Sequence, residues 1–205
     1  MPQLLSYTSK MPGASLSLPA GTTCPTGAKY RNDPNGICSK CYAQKGLYNQ
    51  PKVKECRQWR LAYTQTAEFV TDMVGLLHRE ARLGRPHFRW HDSGDTYSLE
   101  YGHKIMDIIE ATPEIWHYIP TKEVALFTQL LAARKKPRNV VVRISAVHID
   151  QLPASIPAGC QGCMTFKTAR PTQAFPCHAT MGDHSCGACR ACWNPNIPLI
   201  AYKLH

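Results

Sequence analysis

The residues best able to do chemistry here are thiols. Ten cysteines fall into an early set, Cys24, Cys38, Cys41 and Cys56, and a late set, Cys160, Cys163, Cys177, Cys186, Cys189 and Cys192, while residues 57–159 hold none. Cys186-Gly-Ala-Cys189-Arg-Ala-Cys192 places three thiolates at three-residue intervals, which lets neighbouring sulfurs converge on one ion or cluster and keeps them from all pairing as disulfides. Cys177, Cys186, Cys189 and Cys192 make the best four-ligand group, with Cys160-Gln-Gly-Cys163 as a substitute pair and His205 as a further zinc ligand. Four thiolates suit tetrahedral zinc or a cubane 4Fe–4S cluster, and ligand type alone does not separate the two. The early set offers three ligands, Cys24, Cys38 and Cys41, because Cys56 stands on a predicted helix without a near cysteine partner. Three protein ligands on an iron–sulfur cluster leave one iron open, whereas a structural zinc takes a fourth. That asymmetry assigns catalysis to the early set and a closed, shaping role to the late one.

The polar groups that would work beside these thiols depend on the elements that carry them. Ala14 to Pro19 alternates and stops at proline, a short strand running into a loop; Asp33-Pro-Asn-Gly36 is a turn signal, so Cys24, Cys38 and Cys41 sit on that loop. Helical periodicity covers Val53–Leu61, Thr66–Arg82, Leu99–Ile109 and Glu123–Arg134, and strands are predicted at His87–Asp92, Ile115–Ile119 and Asn139–Val147. Strands alternating with helices mean a parallel α/β sheet. Ligands bind beyond the carboxyl ends of such strands, where loops converge. The second strand delivers Asp92-Ser-Gly-Asp95 there, the third Thr121-Lys122-Glu123, and the fourth Ser145, His148 and Asp150. Asp92, Asp95 and Lys122 are the candidate catalytic groups; each also has a plainer reading, the aspartates as loop or helix caps and Lys122 as a helix start. Trp90 and Trp116 read as core.

Composition limits the function classes. Lys and Arg exceed Asp and Glu by 24 to 14, a formal charge of +10, which favours polyanions and nucleic acid first. Lys135-Lys-Pro-Arg138 is the densest basic cluster. No apolar run approaches the ~18 residues a membrane span needs, and the first residues lack a secretory pattern, so a reducing cytoplasm is expected, where close cysteines bind metal. Residues 151–198 hold six prolines and six cysteines and no convincing helix, a stretch expected to take its shape from metal. Residues 198–205 read as a last strand returning to the sheet. The expected organisation is one domain, a partial (β/α) barrel-like parallel sheet over 1–150 with a Cys-rich, metal-organised region over 151–205.

Leu16-Ser-Leu-Pro-Ala-Gly-Thr-Thr-Cys24-Pro25, Cys38-Ser-Lys-Cys41-Tyr-Ala43, Arg89-Trp-His-Asp-Ser-Gly-Asp95, Pro120-Thr-Lys-Glu123, Arg143-Ile-Ser-Ala146, Cys186-Gly-Ala-Cys-Arg-Ala-Cys-Trp193 and Ala201-Tyr-Lys-Leu-His205 together resemble the phage gene-product-eighty-eight family. The resemblance implies a phage origin, hence a host cytoplasm, and adds no reaction. More loosely, a three-cysteine loop ending Cys-x-x-Cys-Tyr, followed by a glycine-acid turn and a strand ending in serine, is similar to a radical S-adenosylmethionine partial barrel. That similarity implies a 4Fe–4S cluster on Cys24, Cys38 and Cys41, S-adenosylmethionine near Ser93, Gly94 and Ser145, and an auxiliary cluster on the late cysteines. The thirteen residues between Cys24 and Cys38 depart from that superfamily's short spacing. Asp92-Ser-Gly94 is also similar to the aspartate turn of queuine-type transglycosylases, which implies the alternative of a zinc-structured, base-modifying enzyme acting through Asp92 and Asp95. A metal-stabilised protein that binds nucleic acid or a host factor is the third class.

Overall fold

A computed structural model describes residues 3–204. Its strands are β1 (Ser6–Tyr7), β2 (Ala14–Ser17), β3 (His87–Ser93), β4 (Trp116–Thr121), β5 (Val140–Ser145), β6 (Gln161–Phe166), β7 (Phe175–Pro176) and β8 (Leu199–Lys203). They make one sheet in the order β1-β2-β3-β4-β5-β6-β8-β7. Every pairing is parallel except β1 against β2. From β1 to β6 the spatial order follows the chain, so the winding never reverses direction as it does in a doubly wound sheet. The helices are α1 (Pro25–Lys29), α2 (Pro51–Tyr63), α3 (Glu68–Arg82), α4 (Leu99–Ala111) and α5 (Val124–Ala133). Among the described residues, no helix is long and apolar enough to cross a membrane.

Side-chain alternation divides the sheet into two faces. Leu16, Phe88, Trp90, Ile119, Val142 and Ile144 join one core cluster with residues of α3, α4 and α5. In α3, Phe69, Met73 and Leu77 are buried at four-residue spacing, the stripe a helix needs to lie on a sheet. Ser98 caps α4, its hydroxyl accepting from Tyr101 N at 3.2 Å. The opposite face carries the other alternation: Ser17, Arg89, Tyr118, Arg143, Ser145, Cys163 and Tyr202.

The segment 186–197 lies over that second face. Arg143, on β5, is fully buried and donates to five carbonyls, of Gly162, Ala191, Cys192, Asn194 and Ile197. Trp193 Nε1 donates to Phe88 O at 3.0 Å, and its ring meets His87 and Tyr118 edge-on. Residues 161–203 also supply three strands of the same sheet. A buried guanidinium and strand pairing therefore hold this proline-rich stretch.

The strands and helices predicted over 14–147 are present, as is the terminal strand. β1, β6 and β7 are additions to the sequence reading. β6 explains Cys160 and Cys163 differently from a ligand pair: Cys163 is buried among Ala191 and Ile200, while Cys160 packs on the main core. Trp90 is core, but Trp116 is a correction, 46% exposed at the first residue of β4, where the alternation points it away from α4. His205 lies outside the described residues.

Candidate metal and active site

Past β2 the chain turns into the early cysteine loop at the carboxyl ends of the strands. Thr23 N donates to Pro19 O at 3.1 Å, and Cys24 stands just before α1, its carbonyl accepting from Ala28 N at 2.8 Å. A β-carbon built on Gly27 would lie 3.1 Å from both Cys24 Cβ and Cys38 Sγ. The missing side chain is what lets the Cys38 sulfur sit beside Cys24. Residues 33–38 are tied to the loop after β5: Ile37 N donates to Val147 O and Ile149 N to Asn35 O, both at 2.9 Å, and His148 Nε2 meets Asp33 Oδ2 at 2.9 Å. His148 thus serves loop structure, and so does Asp150, which accepts from Lys167 N at 2.7 Å. Burial pushes the Cys24 thiol up to about 12, with Asp95, Cys41 and Cys38 adding to the shift. Burial also raises Cys38, while Lys122 opposes it. These mutual effects place the three thiols, Asp95 and Lys122 in one electrostatic neighbourhood. A thiol at such a value is protonated near neutrality, so a cation must displace its proton to be held by the thiolate.

β3 ends in an irregularity that sets the carboxylates. Its register against β2 jumps from Leu16 opposite Trp90 to Ser17 opposite Ser93, and His91 has φ +57. The bulge re-aims Asp92, whose carboxylate accepts from Ser17 Oγ and, at 3.1 Å, from the Tyr48 hydroxyl; Tyr42 OH donates to the Asp92 carbonyl. His91 is buried against the Tyr101 hydroxyl, and burial pulls it down to about 3, so it is neutral. Ser93 Oγ donates to Leu18 O at 2.6 Å, and Gly94 fits against Thr23 and Leu18. Both spend their groups on closing the turn. Asp95 accepts from Lys122 N at 2.9 Å and Thr96 N at 2.8 Å. Glu123 clamps the start of α1 through Thr26 N and Oγ1, each at 2.8 Å. Lys122 Nζ donates to Ser145 Oγ at 3.1 Å, joining two of the predicted residues across β4 and β5.

Burial raises Asp95 to about 6 from its ordinary 3.8, against the opposing backbone N–H of Lys122. In the native state the proton stays on as pH climbs from about 4 to about 6, while the unfolded chain releases it. Wild-type stability should therefore fall across that window, by on the order of 3 kcal/mol from this group, and stay flat above it. Asp95→Asn should remove that slope; urea unfolding midpoints at both ends of the window would show it, and an unchanged slope would refute the assignment.

The late cysteines gather elsewhere. Cys177, Cys186, Cys189 and Cys192 all line one cavity of about 320 Å³, together with His178, Asp183 and Trp193. Cys189 N donates to Cys186 O at 2.8 Å, the tight turn expected of three-residue spacing. Burial raises Cys192 to about 12, with the Tyr202 hydroxyl, 3.5 Å from its sulfur, opposing the shift. The side chains line a space rather than closing on a point. Among the described residues, no three His, Cys, Asp or Glu side chains stand close enough together to hold an ion without rearranging.

A family model described as Gene product 88 matches residues 2–204. The chain belongs to the Gene product 88 family. No curated protein and no solved structure matches it. The family's phage character fits the resemblance read from the separated motifs.

Two important residues of this Gene product 88 protein carried a signal the motifs alone did not use. Arg143 interrupts Val-Val-Val-Arg-Ile-Ser, a run apolar enough to be buried on both faces, and a cation in such a strand must find acceptors. Arg89 is the second: its Nη2 donates to the Tyr42 hydroxyl at 3.5 Å, its guanidinium lies 5.9 Å from the Tyr118 ring centroid, and its Nε is buried without a partner. Tyr118 OH meets Tyr202 OH at 3.0 Å, and Tyr202 reaches Cys192. Arg89 and these tyrosines lie on the sheet face between the two cysteine sets.

Proposed function

We propose that this phage protein is an iron–sulfur enzyme of the radical type, with a 4Fe–4S cluster on Cys24, Cys38 and Cys41 and a second cluster or metal on Cys177, Cys186, Cys189 and Cys192. The observation that carries the reading is the shared electrostatic neighbourhood of Cys24, Cys38 and Cys41 with Asp95 and Lys122 on the loops at the strand ends, and the three thiols would have to close in to hold the cluster. The donor chemistry suits soft iron or zinc, and the glycine cradle at Gly27 keeps Cys38 Sγ beside Cys24. When bound, such a cluster supplies electron transfer and an open iron for an outside donor, S-adenosylmethionine being the candidate. The chain's own groups then do defined work. Glu123 fixes α1 and with it Cys24. The backbone N–H groups of Lys122 and Thr96 orient Asp95, whose raised value lets it hold or release a proton near neutrality. Lys122 presents its ammonium at Ser145.

At the late site, Cys177, Cys186, Cys189 and Cys192 line one cavity of about 320 Å³, a donor set that suits a zinc ion or a cluster. Asp92 argues against the transglycosylase alternative, since both its carboxylate oxygens already accept hydroxyl hydrogen bonds. The test separates the sites: anaerobic reconstitution of Cys38→Ser should lose the early cluster's signal in electron paramagnetic resonance and any response of that signal to added S-adenosylmethionine, while Cys189→Ser should keep both. Equal spectra for wild type and Cys38→Ser would refute the early cluster.

A further inference from the structure

A second pocket opens beside the early cysteine loop, of about 300 Å³. It is lined by Arg31, Lys54 and Arg57 and by the amides of Gln44, Asn49 and Gln58, and no acidic side chain lines it. Thr22, two residues before Cys24, and Ala43, two after Cys41, lie in its wall. Gly21, between the lining residues Ala20 and Thr22, has φ +88, and a β-carbon there would come within 3.3 Å of Gln44 Nε2 and 3.5 Å of Arg31 Nη1. The glycine leaves open the space that those two donors face. Arg57 is 5% exposed; it donates to the Ala43 and Tyr48 carbonyls and sits 5.3 Å from the Tyr48 ring centroid, but its Nε is buried without a partner. Neither Arg31 nor Lys54 takes part in the ion pairs of the described residues. Three cations and three amides around a hollow with no carboxylate form a site for a multiply charged oxyanion, and guanidinium groups match phosphate oxygens in geometry.

We propose that this pocket binds a phosphate group of the substrate, and the +10 charge of the chain favours a nucleic-acid strand as its source. A phosphate seated there lies at the edge of the Cys24–Cys41 loop, so the rest of the ligand extends over the strand ends. The site stands whether or not the cysteines hold a cluster. Arg31 and Lys54 are exposed, so Arg31→Gln with Lys54→Gln leaves the fold intact.

The experiment uses the full-length protein and a short labelled single strand, followed by fluorescence anisotropy across a salt series, with inorganic phosphate as competitor. Lys135→Gln with Arg138→Gln removes the same charge from the densest basic cluster and serves as the control. The pocket pair should weaken binding about tenfold and lower the slope of log affinity against log salt by about two, and the control pair should do neither. Phosphate should displace the strand from wild type. If strand binding is indifferent to the pocket pair, but a mononucleotide raises the melting temperature of wild type and not of that pair, the pocket still takes phosphate and its source is a small molecule. Equal losses in the two pairs, or no change in either assay, overturn the proposal. Because these readouts need no cluster, their failure is distinct from failure of the iron–sulfur reading.

Discussion

Arg143→Met should destabilise the protein more than any other single change on the sheet, by about 4 kcal/mol or more. The guanidinium is fully buried and is the shared donor for five carbonyls, four of them in the segment 191–197 that covers the sheet. Methionine fills much of the volume and donates nothing, so each orphaned carbonyl keeps its desolvation cost, about 1–3 kcal/mol where no water reaches it. Arg143→Lys retains the charge, yet three donors on one nitrogen cannot span acceptors spread over residues 162 to 197. Urea unfolding would measure the loss. Hydrogen exchange should show the 186–197 backbone opening first, and a variant with wild-type protection there would contradict this role.

Gly94→Ala should be the second largest. The added carbon would stand 2.5 Å from Thr23 Oγ1 and 2.7 Å from Leu18 Cβ, and the residue's φ is +86. To relieve the clash the β2 and β3 ends must part, breaking the Asp95 N to Thr23 O bond of 2.9 Å and the Leu18 N to Ser93 O bond of 2.9 Å. Gly84→Ala isolates the conformational strain, because φ there is +73 and nothing lies within 4 Å of the added carbon. The control should cost about 1 kcal/mol and Gly94→Ala about 3 kcal/mol, strain and overpacking combined. Similar melting temperatures for the two would show that the turn has room to give. The larger loss should also shift the loop that carries Cys24, the residue next to Thr23, which contacts Gly94.

Periodicity made the alternating strands and helices of residues 14–147 legible, because each has one face on a single core. The late region was harder. Gln161-Gly-Cys-Met-Thr-Phe166 lies between prolines and its cysteine drew attention as a ligand, while β1 and β7 have only two residues each, too few for a pattern. The β3 bulge was invisible, since His87-Phe-Arg-Trp-His-Asp92 alternates regularly in sequence; only pairing with Ser17 reveals that Asp92 faces Tyr48. Cys177, Cys186, Cys189 and Cys192, grouped by their spacing, line one cavity. Spacing could not foresee that the same region is also gripped by Arg143, because that grip spans some fifty positions of sequence, from Arg143 to Cys192.

The most direct measurement is the iron and acid-labile sulfide content, with the visible spectrum, of protein purified and reconstituted without oxygen, compared with Cys24→Ser, Cys38→Ser and Cys41→Ser. The account predicts brown wild-type protein with a broad sulfide-to-iron absorption that falls in each of the three variants as one cluster's iron is lost. Colourless protein carrying zinc alone, or iron unaffected by all three changes, would contradict it.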